Sequence, residues 1–503
     1  MEFYYRSMHH PGFFQNTCLA KVSNRWLWTW AIFFLLVFPG HPLKAQQNHT
    51  FYYMSQVPQA SHLNPAYPSE CAFLGLPLIS SVHTNLGHSG FSYNQIFPET
   101  NRGRIVDFAY LEERLHRFDL FNTQVHVDLL SLGVPWRDYF FTFRITEKTG
   151  GLVHYPQTLF LLPWQGNRDY IGETATIKRM GVQFNHYREY SLGISRWLSD
   201  EIRGGIRAKL LFGKMNLNTR NESLEVITQA SNYHIDMQGA YQVNASLPLE
   251  LTTDSTGLVT RARIRDDASW SEVLLNSRNP GFGIDLGVIY TGWDRMTLYG
   301  SLLDLGLIHW TSDVSNFDVQ QDFEFEGLSR EDLEMDDYLS VMRDSLSDSY
   351  EITQTSQSYT TWMPVHTYLG MTYRVNDYLK AGMLQHNLLY KWRIYPSFTL
   401  SMNARIMDFL SLHASYSYNN HSFRNLGAGI SLQTDYWQFY AAADNLLAVN
   451  PLNVRNVNLR LGFNLFFGCA DRKGGGSSKQ PASGTGCFWI KRQQEVQKIL
   501  PDK

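Results

Sequence analysis

Along residues 398–467 apolar and polar side chains alternate with few errors. Phe398, Leu400, Met402, Ala404 and Ile406 are separated by Thr399, Ser401, Asn403 and Arg405. After Met407 and Asp408 the pattern resumes, with Leu410, Leu412, Ala414, Tyr416 and Tyr418 set between Ser411, His413, Ser415 and Ser417. It returns through Leu426, Ala428, Ile430 and Leu432, and again from Val457 to Phe467. A period of two predicts strands with one oily and one polar face. The polar face is built from Ser, Asn, Gly, His and Arg rather than the Lys and Glu that cover a soluble sheet, and aromatics cluster near the turns. That chemistry predicts a transmembrane β-barrel, with lipid on the apolar side and a polar lumen, closed so that every backbone group is paired.

Further candidate strands lie at residues 76–94, 121–134, 139–148, 181–198, 201–218, 281–291, 295–310, 358–374, 378–391 and 395–406. Tight turns carrying an Asp recur at Arg137-Asp138, Ser199-Asp200, Trp293-Asp294, Asn376-Asp377, Met407-Asp408 and Thr434-Asp435. Longer connections alternate with them, at 95–120, 149–180, 219–280 and 311–357. Short turns on the periplasmic side and long loops outside predict an antiparallel all-β barrel of about fourteen strands, or about sixteen if alternating patches within 220–280 also cross. An excursion outside the membrane is the preferred reading of 220–280. In the strand from Arg295 the apolar parity shifts near Leu302, which a β-bulge explains while keeping Asp304 on the lumen side with Asp285.

Composition agrees with a barrel: 14% of residues are aromatic, and a net charge of -3 gives no electrostatic case for nucleic acid. The apolar run at 26–38 is shorter than the roughly 20 residues of a spanning helix. Preceded by Lys21 and Arg25 and followed by Leu43-Lys44-Ala45, it reads as a secretory signal, residues 1–45, cleaved near Ala45. Residues 46–72 lack strand periodicity, the barrel occupies 73–468, and 469–503 read as a Gly/Ser-rich linker with a short basic helix at 488–500. Within the outer loops, 158–164 is apolar, which suits packing on the barrel rim or a lid. The acidic stretch 311–357 fits no EF-hand spacing and reads as a solvated loop with a helix at 330–346.

The segment Ser61-His62-Leu63-Asn64-Pro65-Ala66 precedes the first strand. Its Asn64, Pro65 and Ala66 resemble the Asn-Pro-Ala signature near the start of FadL-like outer-membrane transporters and of PorV-like proteins of type IX secretion. The resemblance implies an N-terminal plug inside the barrel. It also implies either passive uptake of a hydrophobic small molecule or a binding role among secretion-complex proteins. The expected partner is outer-membrane lipid around a monomeric barrel.

No zinc spacing, nucleotide loop or nucleophile elbow is present, so neither metal nor cofactor is expected. His413 lies between Ser411 and Ser415, but residues two apart on a strand stand about 7 Å apart, beyond hydrogen-bond reach. Strand parity instead points charges of both signs into the lumen: Arg144, Arg203, Arg207, Lys209, Lys380, Arg405 and Arg460, with Asp128, Asp285, Asp304 and Asp444. Mixed signs in a confined space predict paired ions and a filled lumen rather than an open pore. Cys71 precedes the first strand and Cys469 follows the last, so barrel closure brings them near one another where a disulfide is permitted. The alternatives are free cysteines or a Cys469–Cys487 pair.

Overall fold

The computed structural model describes residues 48–469, apart from 101–102, 105–107, 160–169, 179, 232–233, 254–258, 266–269, 326–349, 392, 420–421 and 448–450. The signal at 1–45, most of the apolar 158–164 segment, the helix at 330–346 and the tail from 470 onward lie outside the described residues.

The chain folds as a closed antiparallel 14-strand β-barrel. Strand β1 comes in two pieces, Ala72–Gly75 and Val82–His88. It is followed by β2 (Phe118–Trp136), β3 (Tyr139–Pro156), β4 (Gly181–Trp197) and β5 (Ile202–Thr228). Next come β6 (Asn279–Trp293), β7 (Met296–Trp310) and β8, which is also split, into Tyr359–Trp362 and Val365–Arg374. Strands β9 (Leu379–Tyr390), β10 (Arg393–Met407), β11 (Leu410–Asn419), β12 (Ser422–Gln433), β13 (Trp437–Ala443) and β14 (Asn456–Phe467) complete the wall. Closure is made where both pieces of β1 pair with β2 on one side and with β14 on the other.

Exposure follows the alternation in the inverted sense expected of a membrane barrel. On β10, Leu400 and Met402 are 59% and 55% exposed while Thr399 and Ser401 are 1% and 6% exposed. Among the described residues no helix is long and apolar enough to cross a membrane, and the strands make the crossing. The short turns gather at one end, together with the start of β1 and the end of β14, and this end is periplasmic. There Cys71 and Cys469 form a disulfide, with Cα atoms 5.3 Å apart.

The wall differs from the sequence expectation in three places. The first strand, expected unbroken over 76–94, is interrupted at 76–81, where more residues are inserted than either neighbour supplies and Leu78 takes a left-handed φ of 65°. Strand β3 runs on to Pro156 in register with β2 and β4, so the loop expected from 149 begins later. Much of 219–280 and 311–357 is also sheet: the outer half of β5 pairs with Thr174–Lys178 and Ile235–Ser246. The latter strand pairs with Val314–Phe325, and that one with Tyr350–Thr355. Period-two alternation continues past the bilayer because a ladder forms equally well in water, and sequence parity carries no depth.

The bulge expected near Leu302 falls at Leu303 and Asp304, which together face Asp285 across the β6–β7 ladder. Asp304 has a φ of 60°, and its N–H donates to Asp285 Oδ1 at 2.7 Å.

Candidate functional site

The lumen is filled from the periplasmic end by residues 48–67, in which His49–Tyr52 forms one helical turn and Pro58–His62 a 3₁₀ turn. Neither is paired into the sheet; both are held by side chains of the wall. The helical turn lacks a cap of its own, and Asp444 supplies one, accepting from Thr50 N at 2.8 Å and His49 N at 3.2 Å. Thr50 Oγ1 meets Ser415 Oγ at 2.6 Å, Gln56 Nε2 meets His413 Nε2 at 2.7 Å, and Asn464 Nδ2 donates to Gln59 Oε1 at 2.8 Å. The Tyr53 hydroxyl accepts from Met371 N at 3.1 Å and donates to Met383 O. Phe51 stacks on Tyr440 and Tyr52 on Tyr368, so plug and wall share one aromatic core.

Asn64, Pro65 and Ala66 show why this tripeptide suits the place. Asn64 Oδ1 accepts from Ala66 N at 3.0 Å, closing an Asx turn, while its Nδ2 donates to Gly300 O at 3.3 Å on β7. Pro65 and Ala66 lie against Gly205 and Gly287, register partners on β5 and β6. A Cβ on Gly205 would overlap the Pro65 backbone, and one on Gly287 would overlap Asn64. The Arg203 Nε–H donates to Ala66 O at 3.0 Å and finishes the dock.

Most of the expected lumen charges are buried here. Arg144 donates to Pro58 O at 3.3 Å and to Ser61 Oγ; Arg207 donates to Ser61 O and lies 3.3 Å from Asp285. Arg460 donates to Asn48 Oδ1 at 3.1 Å and covers the Phe51 ring at 4.9 Å. Lys209 sits 2.7 Å from both Asp285 and Asp304. Asp128 Oδ2 is 3.0 Å from His62 Nε2. Burial and the nearby Arg144, Arg460 and Arg207 guanidinium groups hold His62 well below the ordinary histidine value. Burial also lowers His49, against the opposing pull of Asp444.

Arg405 is a correction. Parity puts it on the face of Ser401 and Asn403, but it lies at the periplasmic turn, exposed and 3.4 Å from Asp408. Lys380, near the same end, is half-buried. Sequence reasoning missed Lys148 and Glu189, which pair at 2.7 Å, although both lie inside the candidate strands 139–148 and 181–198. Extending the parity of Arg144 and Thr146 finds Lys148. His413 bonds Asn403 Oδ1 at 2.8 Å, and Ser415 contacts the plug.

Over the plug lies a cavity of about 90 Å³, lined by His62, His126, Lys148, Lys209, Asp304 and His366 among others. Towards the extracellular end the buried lumen side chains turn apolar. One cluster gathers Leu120, Leu152, Leu388, Tyr390 and Tyr395; a second gathers Tyr187, Leu211, Ile308, Trp310, Tyr359 and Met363. The lumen is therefore layered: apolar outside, charged in the middle, plugged below.

No curated protein sequence matches the chain. Similar solved structures include the toluene transporter TbuX of Ralstonia pickettii, at 10% identity and a TM-score of 0.39, covering 82% of this chain and 95% of that one. A FadL homologue from Pseudomonas aeruginosa shares 12% identity at a TM-score of 0.33, covering 85% and 98%. The P. putida toluene transporter TodX shares 10% identity at a TM-score of 0.36, covering 80% and 92%. Residues 65–444 match the family described as a family of unknown function, DUF5723. That match runs from the docked Pro65 through to the Asp444 cap, and the chain belongs to this family.

Proposed function

We propose that the protein is an outer-membrane barrel giving passive, non-enzymatic passage to a hydrophobic small molecule, with residues 48–67 as a displaceable plug. The observation that carries this reading is the way the plug is attached. Every hydrogen bond from residues 48–67 to the wall described above involves a side chain on at least one partner, so the segment can leave without opening a single ladder pair. The apolar clusters around Leu388 and Ile308 suit a hydrophobic passenger at the outer half of the route. The Asn-Pro-Ala resemblance supports the same reading.

Deleting residues 46–70 should raise conductance in planar bilayers, and unchanged conductance would remove the plug from the account. Cells producing the full chain should accumulate a labelled apolar probe faster than cells without it. Introducing a carboxylate with Leu388→Asp should cut that difference; equal accumulation in all three strains counts against a hydrophobic passenger.

A PorV-like binding role is the second reading, favoured by the sheet that β5 and Ile235–Ser246, Val314–Phe325 and Tyr350–Thr355 build beyond the membrane wall. Stoichiometric partners retained in mild detergent, and lost when residues 229–278 are shortened, would favour it over transport.

A further inference from the structure

The plug's helical turn begins at His49, which adjoins two histidines of the wall. His366 Nδ1 on β8 lies 3.0 Å from His386 Nε2 on β9, with the rings stacked. His386 in turn meets His49 of the plug edge-on, centroids 5.7 Å apart, and Ser397 Oγ lies 3.4 Å from both His49 Nε2 and His386 Nδ1. Tyr368 covers the other side of His386, at 4.4 Å, and itself carries Tyr52. His49 and His386 have no solvent exposure. His49 Nδ1 has no hydrogen-bond partner among the described residues. His366 lines the cavity above the plug, so a proton arriving through water reaches the stack from that side.

We infer that acidification releases the plug, because protonating His49, His366 and His386 accumulates like charge in one stack shared by plug and wall, in which His49 and His386 are fully buried. The neutral pair His366–His386 holds its bond only while one of the two facing nitrogens is unprotonated. The surrounding charges do not absorb the added protons. Asp304 shares the cavity with His366, but it is already paired with Lys209 at 2.7 Å and Lys148 at 3.6 Å. Asp444 faces His49 and opposes the effect of its burial, but its oxygens are already engaged in capping the helical turn through His49 N and Thr50 N. His49 and His366 therefore share carboxylates already engaged elsewhere, and His386, set among His49, His366, Tyr368 and Ser397, gains none. Release opens His49 and His386 to water, where histidine titrates near its ordinary value of about 6.5. Protons then favour the released state, and docking is complete above that pH and weakens below it.

This inference rests on residues 48–67 acting as a plug, and the test separates the two. Amide exchange of residues 48–54, corrected for its intrinsic pH dependence, and bilayer conductance are measured on the full refolded chain at about pH 7.5 and about pH 5. Exchange should quicken by about tenfold or more at the lower pH, with conductance rising alongside. The neutral variant His366→Gln/His386→Gln should keep the higher-pH behaviour at both. His49→Gln, which leaves the wall untouched, should blunt the response. A full chain that responds to neither pH, or variants that respond as fully as the natural sequence, would overturn the switch. Deleting 46–70 should give conduction at both pH values. If it does while the full chain ignores acid, the plug stands and the switch falls; if the deleted barrel stays closed at both, both fall.

Discussion

Leu400 and Leu412 both turn to lipid, but at different depths. Leu400 lies in the middle of β10, whereas Leu412 is two residues from the periplasmic end of β11. Leu400→Arg should cost about 2–4 kcal/mol and Leu412→Arg about 0–1 kcal/mol, since the penalty falls from the bilayer centre to its edge. Urea titrations of folding into lipid vesicles measure both, and equal losses would contradict this placement. Which face a residue takes was readable from alternation alone, as Thr399 and Ser401 against Leu400 and Met402 show. Depth was not, which is why Arg405 was expected inside and stands at the rim. Nor did the sequence announce what Gly205 and Gly287 accommodate, because a glycine in a strand gives no hint of the chain lying across it. Gly287→Val should loosen the dock of Asn64–Ala66 by about 1–3 kcal/mol through overpacking. Faster exchange across 58–67 with unchanged barrel melting is the expected signature, and unchanged exchange would mean the contact yields without cost.

At the scale of elements, the bulge on β7 couples wall and charge. Two residues, Leu303 and Asp304, oppose Asp285 alone, and the displaced Asp304 joins Lys209 and Lys148. The parity shift after Leu302 made this element legible. The partners Lys148 and Glu189 stand in candidate strands and still stayed hidden, because period-two alternation says which face a side chain takes but not what it meets or at what depth. The same ambiguity concealed the sheet outside the membrane. Strand β5 has 27 residues, whereas a crossing needs about 9–11, yet its alternation does not change character where lipid ends. The buried network gives a prediction of its own. Asp285 has no exposure and holds both Arg207 and Lys209, so Asp285→Asn should cost about 3–5 kcal/mol by stranding a cation. Adding Lys209→Met should recover part of that loss. Vesicle unfolding of the two single variants and the double variant measures the coupling; strictly additive losses would mean the two side chains do not interact.

For the molecule as a whole, the seam where the first strand meets the last is a divided line in the wall. The interruption at 76–81 splits it, leaving Ala72–Gly75 against the end of β14 and Val82–Gly87 against its start. A closed barrel has no free edge only as long as this seam holds. The Cys71–Cys469 bridge lies at its periplasmic end, directly before the pair Ala72 and Phe467. It also joins residues 398 apart in sequence, so it restrains most of the chain when unfolded. Cys71→Ser/Cys469→Ser should therefore lower stability by about 2–4 kcal/mol in detergent or vesicle unfolding. A reductant should bring the natural sequence to the level of the double variant and leave that variant unmoved. The loss should appear as faster exchange along both pieces of β1 before it appears elsewhere, because opening starts where the ladder is already divided. Indifference of the natural sequence to reductant would show that seam pairing, not the bridge, keeps the ends together.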